Sequence, residues 1–292
     1  MAMFLRIVTI LSPMLAIVLV GYLYGRIRRP DMAFANQITM DVFVPALVLS
    51  ALANKTFALT ANIPMVIGGT VVIVGSGMVA VPIARLLQVP LPTLIPSMMF
   101  KNSGNIGLPL IVLAFGEAAL PAAIVLWLVS TLLHFSLGAW MLDRHSRLSQ
   151  FWRIPVVVAT LLGLAMNVSH TELWAPLQLG TKMLGDISVP LLLFSLGARL
   201  VHADLTEWRI GLWGALICVA TGMFSAFLAA RLLQMPREQA SILLVFGALP
   251  PAILNYVFAE RYHQEPEKVA SIVFVGTLTS IVFLPMALGL AL

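Results

Sequence analysis

Ten apolar segments separated by short polar hinges run along the whole sequence. A helix that crosses the hydrocarbon core of a bilayer needs roughly 20 apolar residues. Most of the segments reach this length, and none of the hinges is long enough to form a soluble domain. The pattern predicts ten membrane-spanning helices, at residues 6–25, 35–53, 62–86, 94–115, 117–142, 153–169, 180–200, 209–233, 239–260 and 268–291.

The composition agrees with a membrane protein and argues against other classes. Hydrophobic residues make up 60% of the 292 residues and charged residues 10%, whereas soluble domains are nearer half apolar and about a quarter charged. The single cysteine, Cys218, excludes an intramolecular disulfide and a cysteine-rich metal site, so no metal or cofactor is expected. The net charge of +5 is scattered over the hinges, which argues against nucleic-acid binding. The predicted fold class is an all-α polytopic membrane protein.

The Lys and Arg residues predict the orientation, because cytoplasmic loops carry more of them. With the N-terminus outside, eleven of the 17 fall on the inner side and five on the outer side, while Lys101 lies within the fourth segment. Both termini of this multi-pass protein are therefore predicted to lie outside. The inner group comprises Arg26, Arg28, Arg29, Arg85, Arg144, Arg147, Arg153, Arg199, Arg209, Arg261 and Lys268. The outer group comprises Arg6, Lys55, Lys182, Arg231 and Arg237.

Three sequence patterns occur twice at nearly the same separation. ARLLQVP at Ala84–Pro90 returns as ARLLQMP at Ala230–Pro236, 146 residues later. DVFVP at Asp41–Pro45 returns as DISVP at Asp186–Pro190, 145 residues later, and a Pro-x7-Gly spacing returns after 142 residues. The agreement of the three separations indicates an internal repeat of five helices.

The odd number of helices per repeat determines how the two halves are related. The second copy must enter the membrane from the opposite face, and inverted repeats of this kind are typical of secondary transporters. The predicted halves are residues 1–147 and 148–292.

Two of the ten segments contain residues that a plain membrane-spanning helix avoids. Met98–Leu110 holds a lysine, two asparagines, two glycines and a proline, and Gly247–Pro251 interrupts the ninth segment at the corresponding place. Proline lacks the N–H of a helical hydrogen bond, and freed backbone groups at membrane depth are tolerated only inside protein or around a wet cavity. Interruptions at corresponding places of two halves indicate a substrate site. We predict that helices 4 and 9 are broken and cross at mid-membrane.

The two breaks would direct helix N-termini into one cavity. Such an end carries roughly half a positive charge and several free N–H groups, which suits an anion. Lysine and asparagine side chains add donors for a carboxylate. The residues predicted to bind substrate are Lys101, Asn102, Gly104, Asn105, Gly107, Pro109, Pro250, Pro251, Asn255 and Tyr256.

Four ionisable residues within the segments are candidates for binding or coupling. A charge at the bilayer centre costs at least ~2.5–3.5 kcal/mol, so Lys101 is expected to hold a substrate carboxylate or to alternate between substrate and Asp41 or Asp186. A static ion pair and a lysine that snorkels toward the cytoplasm are the alternatives. Asp41, Asp186 and His134 are the coupling candidates. The aspartates could instead complement helix dipoles, and His134 could be a buried, hydrogen-bonded side chain.

The motif NSGNIGLP at Asn102–Pro109, the five-plus-five arrangement and the proline break in helix 9 together resemble the auxin efflux carrier family. The resemblance covers essentially the whole chain and implies the fold of the bile-acid sodium symporters. In that fold, helices 1, 2, 6 and 7 form a scaffold domain, and helices 3–5 and 8–10 form a transport domain. The resemblance also implies an elevator-like motion and an anionic carboxylate substrate contacted by Asn105. It assigns no role to Lys101.

Bacterial members of that family include malonate and malate permeases of about this length, and the long central loop of the plant carriers is absent here. The resemblance thus implies a permease for a small dicarboxylate such as malonate in a bacterial inner membrane, and a homodimer through the scaffold domain is compatible with it. Coupling to protons or to the membrane potential is expected over Na⁺, because Lys101 would repel a cation. The alternatives are a sodium-coupled symporter of bile-acid-like organic anions and a membrane sensor with a transporter fold. An enzyme is not expected, since the sequence has no His-Glu-x-x-His motif and no nucleophile elbow.

Overall fold

The computed structural model describes residues 2–53, 59–143, 155–201 and 206–292, and every regular element in these ranges is a helix. Lys55, Arg144, Arg147, Arg153 and the predicted boundary at residue 147 lie outside them. The helices before that boundary are α1 (Ala2–Arg28), α2 (Ala33–Ile38), α3 (Val44–Leu52), α4 (Leu59–Leu86), α5 (Leu91–Met99), α6 (Leu108–Phe115), α7 (Leu120–Leu133) and α8 (Ala139–Leu142). Those after it are α9 (Pro155–Val168), α10 (Ala175–Asp186), α11 (Ser188–Leu200), α12 (Trp208–Leu232), α13 (Arg237–Gly247), α14 (Ile253–Arg261) and α15 (Pro266–Ala291).

Seven helical runs in the described residues are long and apolar enough to cross a membrane. Large apolar side chains such as Leu19, Met78 and Leu232 are exposed on them, as a lipid-facing surface requires. An all-helical polytopic membrane protein is therefore confirmed. The other predicted spans are not continuous helices of that length. The fourth is divided into α5 and α6, the ninth into α13 and α14, and the sixth is α9, which has only 14 residues.

Three π-helical turns interrupt the α-helical runs, at Thr39–Phe43, Ser103–Gly107 and His134–Gly138. In the first two turns a proline explains the distortion, because Pro45 follows Asp41 by four residues and Pro109 follows Asn105 by four. Proline offers no N–H to the carbonyl four residues earlier, so the turn widens. Turns of this kind are frequent at functional sites.

The repeated ARLLQ motif forms the same helix end twice. Helices α4 and α12 both end at the first of the two leucines of the motif, Leu86 and Leu232. The glutamine two residues later has a positive φ in both copies, 55° at Gln88 and 47° at Gln234. Pro90 and Pro236 then precede α5 and α13 in an extended conformation that starts the next helix. The two copies of this short sequence therefore adopt one local structure.

The helices pack in two groups, and the first group consists of α1–α3 and α9–α11. In it, α1 packs along α11, and α3 packs against α9 and α10. The backbones of α1 and α11 are in direct contact. A Cβ atom added at Gly21 would lie 2.1 Å from Phe194 O, and one added at Gly197 would lie 2.0 Å from Val18 O. Only glycine at both positions allows helices to approach this closely.

The second group consists of α4–α8 and α12–α15, with α12 at its centre. Helix α12 packs against α4, α13 and α15, while α4 also contacts α5 and α7. The two groups meet where α1 touches α6 and α15, where α3 touches α7, and where α11 touches the π turn before α6. The broken helices α5–α6 and α13–α14 thus belong to the second group, and the break of α5–α6 faces the first.

Candidate functional site

The two breaks cross each other and are joined by backbone hydrogen bonds. The N–H of Ala252 donates to Phe100 O at 2.9 Å, and the N–H of Asn102 donates to Pro250 O at 2.8 Å. These bonds form a short antiparallel pairing of Lys101 with Pro251. Each unwound segment therefore satisfies backbone groups of the other, as non-helical backbone at membrane depth requires.

Asn102 organises the start of the second half of the first broken helix. Its side-chain Oδ1 accepts from the N–H of Asn105 at 3.3 Å, and its backbone oxygen accepts from the N–H of Gly107 at 3.0 Å. The helix then continues as α6, with Pro109 in the first turn, where a missing N–H does no harm. The break ends in a helix N-terminus, as predicted.

A cavity of about 360 Å³ lies between the two groups of helices, beside this break. This volume lies within the range of small-molecule sites. Residues of all three π turns line it, and α9 and α11 of the first group and α7 and α14 of the second complete its wall. Its polar and charged lining residues are Asn36, Asp41, Lys101, Asn102, Ser103, Asn105, Ser130, Thr131, His134 and Arg199.

The ammonium group of Lys101 is turned away from this cavity. Lys101 is only 2% exposed, and its Nζ donates to the backbone oxygens of Cys218 at 2.9 Å and Met98 at 3.3 Å. Cys218 belongs to α12, which contributes no residue to the cavity wall. Among the described residues, no carboxylate lies within ion-pair distance of Lys101. The expected pairing with Asp41 or Asp186 is therefore absent, and backbone carbonyls are its partners.

The cation that faces the cavity is Arg199 of α11, which sequence reasoning had counted among the inner-hinge residues. Arg199 is half-buried and lines the cavity wall. Within the described part of the chain, no carboxylate forms an ion pair with it. The sequence did contain a sign of this role, because Arg199 lies in the apolar stretch SLGARL, one residue before the end of α11.

Two polar atoms beside the cavity form no hydrogen bond with any of the described residues. The Nδ2 of Asn102 and the Nε2 of His134 are both buried without a hydrogen bond. His134 is held in place by stacking on Phe100, with ring centres 4.1 Å apart, and by an edge contact with Phe258 at 4.9 Å. Buried polar groups are nearly always paired, so unpaired ones at a cavity suggest a ligand or water.

The two repeated aspartates occupy different environments. Asp41 lies in the first π turn and lines the cavity. Asp186 ends α10 at the surface, where its carboxylate pairs with Lys182 at 2.9 Å and both side chains are more than half exposed. Of the two, only Asp41 is close to the candidate site.

The cavity wall contains six of the thirteen predicted site and coupling residues, namely Lys101, Asn102, Gly104, Asn105, Asp41 and His134. Several of the others support the crossing from behind. Asn255 donates from Nδ2 to Phe100 O at 2.9 Å, and a Cβ atom at Gly107 would lie 2.6 Å from Leu249 Cδ1. Tyr256 donates to Glu260 at 3.4 Å, one turn further along α14. The residues outside the wall are Gly107, Pro109, Asp186, Pro250, Pro251, Asn255 and Tyr256.

Apolar helices long enough to cross a membrane and a polar cavity at two broken helices are typical of a polytopic membrane transport protein. A family model described as "membrane transport protein" matches residues 146–288. An uncharacterized transporter of Methanothermobacter thermautotrophicus is 28% identical over 95% of this chain and 96% of its own length. An uncharacterized transporter of Methanocaldococcus jannaschii is 23% identical over 93% of this chain and 94% of its own length. The chain is therefore similar to proteins described as membrane transporters, and for the two relatives this similarity extends over nearly its whole length.

Proposed function

We propose that the protein is a secondary active transporter of a small organic anion, a carboxylate or dicarboxylate such as malonate. The observation that carries this proposal is the cavity at the crossing, whose wall combines Arg199, the unpaired Nδ2 of Asn102 and the helix N-terminus at Asn105. All three attract negative charge. Asp41 is the single acidic group among the described residues that line the cavity.

The substrate would bind between the two halves of the wall. One carboxylate would accept hydrogen bonds from Asn102 and the backbone N–H groups near Asn105. Arg199 would hold a second carboxylate, because its planar guanidinium matches a carboxylate with two parallel hydrogen bonds. This arrangement replaces the predicted role of Lys101 by Arg199.

The packing of the helices supports an elevator-type mechanism. The first group corresponds to the scaffold helices that the family resemblance implies, and the second corresponds to the transport helices. The cavity lies at the boundary between them, so a sliding movement of one group past the other would carry the substrate. The repeated ARLLQ ends and paired breaks support the ten-span, inverted-repeat arrangement that this mechanism requires.

The cavity position also suggests an inward-facing state. Asn36, Pro155 and Arg199 lie at the helix ends next to the predicted inner hinges. With the predicted orientation in a bacterial inner membrane, the cavity would be reached from the cytoplasm.

Proton coupling is the mode that the wall favours, and Asp41 is its candidate carrier. Asp41 is an acidic side chain in the wall of the cavity that would hold the anionic substrate, so it would carry the proton beside the substrate. Substrate and proton would then move together.

Uptake of labelled malonate into proteoliposomes, with and without an imposed pH gradient, tests the function. We expect uptake that an inward proton gradient stimulates. The Asp41→Asn variant should lose this stimulation and retain substrate exchange, and Asp186→Asn should behave as the wild type. Stimulation by Na⁺ in place of protons would indicate the sodium symporter. Binding of carboxylates without any uptake would indicate a sensor and contradict the proposal.

A further inference from the structure

The ammonium group of Lys101 is held by atoms of α12 and by a carbonyl at the C-terminal end of α5. Met98 belongs to the last turn of α5, and its carbonyl has no helical donor because the N–H of Asn102 bonds to Pro250 instead. The Nζ of Lys101 donates to this carbonyl at 3.3 Å, to Cys218 O at 2.9 Å and to Cys218 Sγ at 3.1 Å.

The C-terminal end of the other broken helix reaches the same place. A methyl group added at Gly222 would lie 2.6 Å from Lys101 Nζ and 2.0 Å from the oxygen of Gly247, which is the last residue of α13. A carbonyl oxygen from the end of α5 and one from the end of α13 therefore lie close to the same small volume. Each such end carries roughly half a negative charge.

Carbonyl groups at the C-terminal ends of broken helices are the ligands that hold coupling cations in many secondary transporters. A free cation in this volume would meet the ammonium group of Lys101, which already donates to Met98 O and Cys218 O. The absence of a side chain at Gly222 leaves the space that the ammonium group needs.

We propose that Lys101 is a tethered cation that occupies the place of a coupling ion at the crossing, so that the folded transporter needs no free Na⁺ there. The inference rests on the proposed function for its transport consequences, while the occupancy of the volume is tested by stability alone. The positive charge stays with the protein through the cycle, which leaves protons or the membrane potential as the driving force.

Removal of the tether should open the volume to a free cation. We expect the thermal midpoint of purified Lys101→Ala to fall below that of the wild type in choline chloride and to rise by several degrees when Na⁺ or ethylammonium replaces choline at constant ionic strength. The wild type should show no such response. Lys182→Ala, which removes an exposed cation, is the matched control and should also show none.

Uptake provides a second readout. Lys101→Ala should transport about tenfold or more slowly than the wild type in choline, because charge-assisted hydrogen bonds are lost, and should recover in ethylammonium or Na⁺. Lys101→Met fills the volume with a neutral side chain, so its uptake should stay low in every cation. This variant and the sodium response of the wild type decide the matter if Lys101→Ala cannot be purified.

Three results would overturn the inference: stimulation of wild-type uptake by Na⁺, wild-type uptake and stability in Lys101→Met, or a folded Lys101→Ala that no cation stabilises. A wild type that transports no carboxylate would contradict the proposed function. The midpoint response of Lys101→Ala would still report on the tethered cation, so the two failures are distinguishable.

Discussion

Lys101 and Arg199 are both cations inside apolar helical runs, and the structure surrounds them in opposite ways. Lys101 is 2% exposed, and its ammonium group donates to two carbonyl oxygens and to the sulfur of Cys218. Arg199 is half-buried, lines a cavity and has no ion-pair partner in the described ranges. The charge of Lys101 is therefore held by the protein itself, whereas the guanidinium of Arg199 is available to a ligand.

The chemistry of the two side chains fits this difference. An ammonium group is a compact charge with three donors that can point at separate carbonyls, whereas a guanidinium is a flat fork that matches a carboxylate. The position of a charge in a broken helix is therefore a weaker sign of substrate contact than the partners that surround it.

The largest expected effect tests how tightly the surroundings of Lys101 are built. Gly222→Ala places a Cβ atom 2.0 Å from Gly247 O, and a backbone atom cannot move aside as a flexible side chain can. We expect a loss of stability of about 3 kcal/mol, at the upper end of overpacking effects, measured as a lower thermal midpoint. Gly180→Ala is the matched control, because nothing lies within 4 Å of its added methyl group. A wild-type midpoint in Gly222→Ala would contradict the close packing.

The second effect tests whether Arg199 is free to bind substrate. Arg199→Gln should reduce malonate affinity by about 10–100-fold with an unchanged thermal midpoint, since hydrogen bonds to charged groups contribute about 1.5–3 kcal/mol. Arg199→Lys should recover part of the loss, and monocarboxylates should be affected less than dicarboxylates. The comparison between the two cations fails if Arg199→Gln loses stability and keeps its affinity.

The two asparagines of the crossing provide a smaller test. Asn105 lies at the cavity, while Asn255 holds Phe100 O from behind. Asn105→Ala should weaken uptake more than Asn255→Ala does, and Asn255→Ala should cost about 1 kcal/mol of stability. Uptake assays and thermal melts of both variants measure this. The reverse order of uptake would move the substrate toward α14.

The smallest effect concerns Lys268, a cation in the first turn of α15 that does have a carboxylate partner. Lys268 donates to Glu265 at 2.5 Å, and Thr93 donates to it at 2.6 Å. These hydrogen bonds lower the pKa of Glu265 below its ordinary value, and the bond from Lys268 has the larger effect. The contribution of ionised Glu265 to the stability of the fold is therefore present above the ordinary pKa of about 4.3. It is lost as the pH falls through the lowered pKa. Both side chains are 36% exposed, so the contribution is at most about 0.5 kcal/mol.

Thermal melts between neutral and acidic pH, compared with those of Glu265→Gln, measure this contribution. The wild type should lose a small advantage over the variant below about pH 4. An advantage that grows on acidification would reverse the sign and contradict the hydrogen-bonding pattern.

The sequence predicted the breaks because their cause is local. Proline offers no N–H to a helical hydrogen bond, so Pro109 and Pro250 marked the interruptions. The partners of Lys101 could not be predicted in the same way. Cys218 O lies 117 residues further along the chain, and a backbone carbonyl carries no sequence signal.

The repeated sequence motifs share their local structure where a helix ends, but they do not indicate which of their residues reach the cavity. Asp41 and Asp186 share a motif, yet one lines the cavity and the other pairs with Lys182 at the surface. Arg199 was overlooked because it stands near a hinge, where an arginine usually serves the topology. Which helix end faces a cavity depends on packing between helices distant in sequence.

The pairing of the two breaks has a consequence for mutational scanning and for divergence among relatives. Its hydrogen bonds join Ala252 to Phe100 and Asn102 to Pro250 entirely through main-chain atoms. Among ordinary substitutions, only proline at Ala252 or Asn102 can delete one of them. These two hydrogen bonds therefore persist when the side chains change, and a scan by alanine would not report their contribution to the link between the two helices.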